Sequence, residues 1–369
     1  MANKNSAATA APMVTVVVPL YNAEKFIGDC LSALTRQTFT DFEVIVVDDC
    51  STDNSADVVK NFMNTTLKGK LKLKSLSKNS GASAVPKNTG VQLARGKYIM
   101  FCDSDDYLSD TALEEMVKIA EESNAEVVHC SKYFSFKDGE DKIVTGTFQR
   151  TYHVDRPGIE TPDIGERVKK FAEYGFLWWG QCKILRRDFL IKNKIQFPPI
   201  NVWEDLVFAF MCVVCAKTYI RVPNIIYYYR IREESLSHIP KDVFEIIETL
   251  TKVIKALDEF MDRFEIFAKN PILRFILINW HVQGRLDVIC QHFYTASKLQ
   301  PHQVDSLFIR KFFNKIPREY LGFSSYFFSV ATFQRMLLTK AQQDNKALQN
   351  RVQELEMQLA RDKVNAFIK

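Results

Sequence analysis

Residues 98–108 read YIMFCDSDDYL, an apolar run followed at once by the carboxylates of Asp103, Asp105 and Asp106. The four apolar residues Tyr98–Phe101 are typical of a strand that is buried on both faces of a parallel sheet. Carboxylates crowded after such a strand repel one another unless solvent screens them or a cation neutralises them. The stretch therefore predicts a buried strand whose carboxyl end opens on solvent or on a cation site.

The same order of a short apolar strand and an amphipathic helix repeats along residues 14–130. Strands that alternate with helices pair in parallel, so the sequence predicts an α/β, Rossmann-like fold, a mostly parallel sheet with helices on both faces. Ligands bind at the carboxyl ends of such strands, where Asp48 and Asp49 also fall. The predicted strands are Val14–Val18, Phe42–Val47, Leu71–Leu76, Tyr98–Cys102 and Glu126–Cys130, and the predicted helices are Ala23–Leu34, one from about Ser55, Ala82–Ala94 and Asp110–Glu122.

The composition is that of a globular protein long enough for two domains, with 369 residues, of which 47% are hydrophobic and 25% charged. The net charge of +5 is too small to indicate nucleic acid binding. The opening MANKNSAATAAPM lacks the apolar core of an export signal, and no run approaches the ~18 apolar residues of a membrane span. We therefore expect a cytoplasmic protein with reduced cysteines. The lone C-x-x-C of Cys212 and Cys215 lies in apolar surroundings, which favours helix packing over metal binding.

The chain is expected to contain a disordered tail at 1–12, a catalytic domain at 13–240, a helical domain at 241–335 and a coiled coil at 336–369. In the last segment, seam positions recur with alternating spacings of three and four, the pattern of a coiled coil that joins copies of a chain. These positions are Leu338, Ala341, Asn345, Leu348, Val352, Leu355 and Leu359. A single amphipathic helix folded back on its own domain is the alternative.

Basic and aromatic side chains are concentrated in residues 308–340, where six Lys and Arg residues accompany one acid, Glu319. Such a segment fits an anionic membrane surface, with aromatic side chains in the interface and basic ones near the head groups. Packing of these aromatic side chains between two domains is the alternative. Peripheral contact with the inner face of the membrane is therefore one option for a cytoplasmic protein.

Four segments occur in order, reading VVVPLYNAEKFIGDCLSAL, VIVVDDCSTDNS, NSGASAVPKNTGVQLARGKYIMFCDSDD and WEDLVF. Together and at this spacing they resemble the inverting family 2 glycosyltransferases of the GT-A fold. The resemblance covers about residues 13–240 and does not extend to the helices that follow. It implies a UDP-sugar donor, a glycan or lipid-linked glycan acceptor, and Mn²⁺ or Mg²⁺ as cofactor.

Within this resemblance, Asp103 and Asp105 match the family's D-x-D motif. It implies that Asp105 is a direct metal ligand and that Asp103, followed by Ser104, contacts the ribose or the metal. Carboxylate oxygens are hard ligands that suit either cation. His238, by its place in a later motif, would complete the metal shell.

The resemblance also implies a nucleotide pocket. Pro19, Tyr21 and Glu24 follow the first strand in the order P-x-Y-N-x-E, and the ring of Tyr21 would cover a pyrimidine. Asp49 has the place of the acid that accepts a hydrogen bond from the uracil ring.

One motif departs from the family. Residues 85–90 read VPKNTG where the family usually has A-R-N-x-G. Lysine keeps the positive charge of arginine but loses its bidentate fork. By this match, Lys87 and Asn88 are assigned to the diphosphate or ribose of the donor.

Glu204 and Asp205 match the family's E-D step, whose Asp is the catalytic base. An acceptor hydroxyl is a poor nucleophile at neutral pH, so a positioned carboxylate must take its proton. Asp205 is therefore the expected base, Glu204 would orient the acceptor, and one in-line displacement would invert the anomeric centre.

Residues 229–238 resemble the family's Y-R-x-R-x-x-S-x-S segment, which closes over the diphosphate. The match assigns Arg230, Arg232, Ser235 and Ser237 to the donor. Three nearby tryptophans, Trp178, Trp179 and Trp203, would suit either stacking on sugar rings or packing in the core.

Two other functions stay open. A nucleotidyltransferase that makes a nucleotide sugar would carry a Gly-rich triphosphate loop after the first strand, and PLYNAEKF is not one. An inactive sugar-nucleotide-binding scaffold would not require Asp103, Asp105 and Asp205 together.

Overall fold

A computed structural model of the protein describes residues 10–139, 144–146, 154–173, 175–232, 243–281, 344–355 and 358. The chain divides into two compact units. The first comprises Met1–Pro240 and Lys252–Leu277, and the second comprises Lys241–Thr251 and Ile278–Lys369. The predicted α/β sheet lies in the first unit.

The central sheet has eight strands within the described residues. They are β1 (Val14–Leu20), β2 (Phe42–Asp48), β3 (Leu71–Ser75), β4 (Tyr98–Phe101), β6 (Val127–Cys130), β9 (Gly158–Ile159), β10 (Lys183–Arg186) and β11 (Tyr219–Val222). Strands β1, β2, β4 and β6 are buried along their whole length. In the described residues their order is β3-β2-β1-β4-β10-β6-β11-β9. Neighbours run parallel except that β10 is antiparallel to β4 and β6, and β9 is antiparallel to β11.

Helices cover both faces of this sheet. The helices of the catalytic part are α1 (Ile27–Thr35), α2 (Ser55–Asn64), α3 (Ala84–Leu93), α4 (Ala112–Ser123), α5 (Ile164–Ala172), α6 (Arg187–Lys192) and α7 (Glu204–Cys215). Along β1, Val16 and Val18 belong to a core cluster that includes Ile27 of α1. Val17 points to the other face, where a Cβ atom on Gly90 of α3 would lie 2.2 Å from its methyl group. A glycine is therefore required for α3 to approach the sheet.

A second sheet lies beside the acidic stretch after β4. Its strands are β5 (Tyr107–Leu108), β12 (Tyr227–Arg230), β7 (Tyr133–Phe136) and β8 (Val144–Gly146), in that order. The rings of Tyr107 and Tyr228 stack with centroids 4.8 Å apart. This sheet holds the residues that follow the D-x-D stretch against β12.

The α/β prediction is confirmed, and every strand and helix predicted up to Cys130 is present with shifts at its ends. The alternating pattern does not reveal β10, which inserts antiparallel between β4 and β6. This insertion makes the sheet mixed rather than purely parallel. It also brings the residues before β10 to the carboxyl edge of β4.

Helices follow the α/β part within the described residues, and the predicted helical domain at 241–335 stays a prediction. These helices include α8 (Val243–Met261), α9 (Glu265–Lys269) and residues 271–281. Residues 344–355 are also helical, whereas 336–343 and the basic, aromatic segment 308–340 lie outside the described residues, so the coiled coil stays a prediction. In the part of the chain that the structure describes, no helix combines the length and apolarity needed to cross a bilayer.

Candidate active site

Three parallel strands end at the same edge of the central sheet. Tyr21 follows β1, Asp49 follows β2, and Asp103 lies two positions after β4. Because β10 runs in the opposite direction, the residues that precede it reach the same edge. Gln181 is one of these, and motif matching did not identify it.

A buried lysine lies among the acids at this edge. Lys87 is only 2% exposed, and its Nζ lies 3.0 Å from Oδ1 of Asp205 and 3.8 Å from Oε1 of Glu204. Burial lowers the pKa of Lys87, but Asp205, Asp103 and Glu204 together raise it above its ordinary value. The lysine therefore stays charged and offsets part of the acidic charge.

Glu204 and Asp205 form the first turn of α7, where the helix dipole favours acids. Glu204 is buried and accepts a hydrogen bond of 2.7 Å from Oγ of Ser83. Burial and Asp205 raise the pKa of Glu204, and Lys87 and Ser83 offset only part of that increase. Both acids therefore depend on Lys87 for charge compensation.

Asp103 presents its two carboxylate oxygens to different surroundings. Oδ2 accepts a hydrogen bond from Nε2 of Gln181, whereas Oδ1 is buried and has no hydrogen-bond partner among the described residues. Burial raises the pKa of Asp103 to about 7; Lys87 lowers it, and the charges of Asp105, Asp205 and Glu204 add to the increase. A buried carboxylate oxygen without a donor is a position where a cation would be stabilised.

Asp105 is held by two arginines. Its carboxylate pairs with Arg232, and its backbone oxygen accepts a 2.9 Å hydrogen bond from Nε of Arg230. The other guanidinium nitrogens of Arg230 bond to Asp138 and, at 2.6 Å, to Oδ2 of Asp29 in α1. Arg230 thus ties β12 to α1 through its whole guanidinium group, and its predicted phosphate contact stays a prediction.

Asp106 serves the second sheet. Its Oδ2 accepts a 2.7 Å hydrogen bond from the hydroxyl of Tyr227, and its Oδ1 accepts a 2.8 Å bond from the backbone N–H of Arg230. Burial, with Asp105 and Asp103, raises the pKa of Asp106 well above its usual range. Asp106 is thus a structural link to β12. Ser104, two positions earlier in the chain, is also buried.

The residues assigned to the base pocket lie at the ends of β1 and β2. Pro19 is buried within β1, whereas the side chain of Tyr21 is 48% exposed and available for stacking. Asp49 is buried, and it accepts hydrogen bonds from the N–H of Ser80 at 2.9 Å and from its hydroxyl at 2.8 Å. Asp49 therefore also anchors the loop before α3.

Hydrogen bonds join the loop after β1 to the loop after β2. The N–H of Asn22 donates to Oγ of Ser51 at 3.0 Å, and Oδ1 of Asn22 accepts from the N–H of Thr52 at 2.8 Å. The carboxylate of Glu24 accepts from the side chain and backbone of Asn54 at 3.0 and 3.2 Å. The two loops therefore form one wall beside Tyr21.

Both polar atoms of the Asn88 side chain form hydrogen bonds within the protein. Its Nδ2 donates to the backbone oxygen of Phe197 at 2.8 Å, and its Oδ1 accepts from the N–H of Phe197 at 2.9 Å. The ring of Phe197 in turn lies 4.9 Å from Nζ of Lys87. Asn88 thus fixes the segment that supports Lys87, and its predicted donor contact stays a prediction. Ser235, Ser237 and His238 lie outside the described residues.

Left-handed backbone conformations adjoin the site. Four non-glycine residues with positive φ each neighbour a site residue in sequence: Asn22 (45°), Cys50 (65°), Cys182 (59°) and Trp203 (69°). Each such residue costs about 1–3 kcal/mol, and such strain clusters at functional sites.

Trp179 packs with Tyr133 and Tyr229 at ring distances of 4.6 and 5.0 Å, which fits packing in the core rather than stacking on a sugar ring.

The donor set fits a cation that is completed by a ligand. Within the described residues, no three His, Cys, Asp or Glu side chains are grouped as a metal centre. Mg²⁺ commonly binds through one or two carboxylates together with substrate phosphates. The partnerless Oδ1 of Asp103 suits that role, and Asp105 would have to exchange Arg232 for the ion.

The mixed sheet, the acidic pair after its central strand and the Glu-Asp pair at a helix start are the arrangement of a GT-A glycosyltransferase. Residues 15–190 match the family model described as Glycosyl transferase family 2. Over this segment the chain is therefore similar to glycosyltransferase family 2.

The chain is similar to several bacterial proteins. It is 30% identical over 236 residues to the uncharacterized glycosyltransferase EpsJ of Bacillus subtilis, covering 62% of this chain and 64% of EpsJ. It is 28% identical over 275 residues to the poly(ribitol-phosphate) β-N-acetylglucosaminyltransferase TarS of Staphylococcus aureus, covering 69% of this chain and 45% of TarS. The chain thus spans less than two thirds of the length of either relative.

The fold is also that of a solved structure. The crystal structure of S. aureus TarS 1–349 in complex with UDP superposes with a TM-score of 0.57 and 23% identity, covering 84% of this chain and 82% of the other. This likeness supports the GT-A fold.

Proposed function

We propose that the protein is a metal-dependent, inverting glycosyltransferase that moves a sugar from a UDP-sugar to a hydroxyl of a glycan or lipid-linked glycan. The observation that carries this proposal is that Lys87 is buried between the acids of two separate motifs. Asp205 pairs with it at 3.0 Å, and Asp103 interacts with its charge. The proposed base for the acceptor and the proposed acid for the nucleotide thus interact with the same lysine.

Asp205 is the proposed general base. The hydrogen bond from Lys87 is to Oδ1, so Oδ2 can face an acceptor hydroxyl. A carboxylate in this position can take the proton of the hydroxyl as the new bond forms. Glu204, bonded from Ser83, is proposed to orient the acceptor beside it.

Asp103 and Asp105 are proposed to hold a divalent cation together with the donor diphosphate. Mn²⁺ or Mg²⁺ bound there would neutralise the charge that develops on the departing nucleotide. Tyr21 is exposed and is proposed to stack on the nucleobase of the donor. Asp49 lies just after β2, the strand beside β1. The UDP complex of TarS supports a uridine nucleotide, and the poly(ribitol-phosphate) transferase name of that relative supports a hydroxyl-rich polymer as acceptor.

The experiment is a UDP-release assay with a panel of UDP-sugars and glycan acceptors, with Mn²⁺ and with chelator. Asp205→Asn should lower turnover by about 10²–10⁴-fold, because it removes the base. Asp188→Asn is the matched control, since Asp188 also lies in the first turn of a helix, α6, and is exposed. Unchanged turnover of the Asp205 variant would remove Asp205 as base, and UDP binding without any turnover would favour an inactive scaffold.

We further propose that residues 338–362 pair with a second copy of the chain. In the helix 344–355, Leu348, Val352 and Leu355 are 68%, 49% and 50% exposed, and Asn345 lies on the same stripe. Leu348→Glu should then reduce the mass measured by light scattering, while Asn350→Glu, off the stripe, should not. An equal mass for both variants would contradict the pairing. The domain boundaries and membrane contact stay predictions.

A further inference from the structure

Gln181 contacts only one of the two carboxylate oxygens of Asp103. Its side chain is 4% exposed, and its Nε2 donates to Oδ2 of Asp103. Oδ1 of the same carboxylate is buried without a hydrogen-bond partner among the described residues. The amide therefore fixes how the carboxylate is turned.

The backbone around Gln181 is itself held in place. A Cβ atom on Gly180 would lie 3.1 Å from the ring of Phe197 and 3.2 Å from Oδ1 of Asp205, so the chain passes close to the base. Cys182 has a left-handed φ of 59°, and its backbone oxygen accepts a 2.9 Å hydrogen bond from the N–H of Cys130. The side-chain amide of Gln181 is thus attached to a backbone whose position is fixed.

A buried lysine secures the same segment from within. Nζ of Lys183 donates to the backbone oxygen of Leu177 at 2.9 Å and to that of Trp179. These bonds close residues 177–183 into a compact loop in front of β10. Movement of Gln181 away from Asp103 would have to break them or turn its side chain.

Asp103 differs from Asp105 and Asp205 in the charge of its side-chain hydrogen-bond partner. Asp205 and Asp105 each pair with a cation, Lys87 and Arg232. Gln181 carries no charge, so its hydrogen bond orients Asp103 without cancelling the negative charge that a metal ion needs. Neutral partners behind a ligand commonly set its orientation in this way.

We propose that Gln181 is a positioning residue that aims Oδ1 of Asp103 at the divalent cation. This inference rests on the proposed function, because it assumes that the cation binds there with the nucleotide. Gln181 neither touches the sugar nor takes a proton. It acts through Asp103 alone.

The test uses the full chain and measures Mn²⁺ binding without turnover. Thermal unfolding is followed while Mn²⁺ is titrated at saturating UDP, which yields an apparent Kd for the ion. Gln181→Met keeps the length of the side chain and removes the donor. The apparent Kd for Mn²⁺ should rise by about tenfold or more, as for lost partners of metal ligands. UDP binding without a divalent cation should stay within about twofold of wild type.

The matched control is Gln37→Met, because Gln37 is also buried and its Nε2 donates to backbone oxygens of Ala33 and Ser109. Its variant should unfold at a lower temperature and bind Mn²⁺ as the wild type does. If Gln181→Met does not fold, Gln181→Ala gives the same reading, since it also lacks the donor.

Three outcomes would be decisive. A raised Kd for Mn²⁺ in a Gln181 variant, with UDP binding and the Gln37 control unchanged, supports the positioning role. Wild-type Mn²⁺ affinity in the Gln181 variants overturns this role and leaves the proposed function intact. A wild-type protein that responds to UDP but not to Mn²⁺ overturns both the positioning role and the metal dependence.

Discussion

Nζ of Lys87 lies 3.0 Å from Oδ1 of Asp205, and this ion pair joins the start of α3 to the first turn of α7. The two residues are 118 positions apart in the sequence. Both are withdrawn from solvent, Lys87 at 2% and Asp205 at 21% side-chain exposure. The pair therefore links the stability of the site to the charge of the proposed base.

Replacement of Lys87 should affect both stability and turnover. Removal of one partner of a buried ion pair costs about 3 kcal/mol or more, because the other charge is left uncompensated. Lys87→Met should lower the unfolding temperature by about 6 °C or more, and UDP release should fall with it. Lys87→Arg keeps the charge and is the control, which should retain more of both. Equal effects of the two changes would show that side-chain shape matters rather than charge.

A methyl group at Gly180 should disturb Asp205, the proposed base, directly. The Cβ atom of Gly180→Ala would lie 3.2 Å from Oδ1 of Asp205. Because an approximately 1 Å shift of a reacting group can cost about 10²-fold in rate, we expect kcat to fall by about tenfold or more. Gly28→Ala in α1, where a Cβ atom meets nothing within 4 Å, should leave kcat unchanged. Steady-state UDP release compares them, and equal kcat values would argue against contact between residue 180 and the base.

The two arginines after β12 should behave differently. Arg230 is buried and bonds Asp29, Asp138 and the Asp105 backbone, so Arg230→Gln should cost about 2 kcal/mol or more and lower the unfolding temperature by about 4–8 °C. Arg232→Gln should lower the unfolding temperature by less, since the side chain of Arg232 is 25% exposed and that of Arg230 only 6%.

The Arg232→Gln variant also tests the proposed metal site. Arg232 occupies the carboxylate of Asp105, so its removal should free that ligand and lower the concentration of Mn²⁺ needed to stabilise the UDP-bound protein. A higher Mn²⁺ requirement in Arg232→Gln would instead support the donor contact that the family resemblance assigns to Arg232.

Lys183 should give the protein a pH-dependent stability in the alkaline range. Burial lowers the pKa of Lys183 to about 8, although Cys182, Cys212 and Asp205 act in the opposite direction. An unfolded lysine has a pKa of about 10.4, so unfolding takes up a proton between about pH 8 and pH 10.4. The contribution of this group to the free energy of unfolding therefore rises with pH across that window and is lowest below about pH 8.

The measurement compares wild type with Lys183→Met by denaturant unfolding at several pH values. Wild type should gain stability relative to the variant between about pH 8 and pH 10. The exposed Lys118→Met is the control and should show no such trend. If the free energies of unfolding of wild type and Lys183→Met change with pH in parallel, Lys183 has the same pKa in the folded and unfolded states.

Local patterns predicted most of the fold, because runs such as Tyr98–Phe101 and the helices between them are determined by residues near one another in sequence. The acids could be singled out for the same reason, since D-x-D and E-D are short motifs, and their roles stay predictions. Gln181 could not, because its place depends on β10 running antiparallel beside β4, a pairing between segments more than 80 residues apart. The local signal was limited to the apolar pair Ile184 and Leu185 in β10, a strand that begins two positions after Gln181.

The buried roles of Arg230 and Asn88 were missed for a related reason. Arg230 meets Asp29 across 201 positions, and Asn88 meets Phe197 across 109. A motif states which residue types recur but does not show whether their hydrogen-bonding capacity is already used inside the protein. Only the tertiary contacts supply that.

The wall formed by Asn22 and Glu24 with Ser51, Thr52 and Asn54 is closed by the protein's own hydrogen bonds. A nucleobase bound in the proposed pocket beside Tyr21 would therefore meet a surface that is already assembled, and little configurational entropy would be lost in shaping it. Discrimination among bases at this wall would accordingly come from rigid steric fit, and substitutions that loosen the wall would weaken selectivity before they weaken the fold.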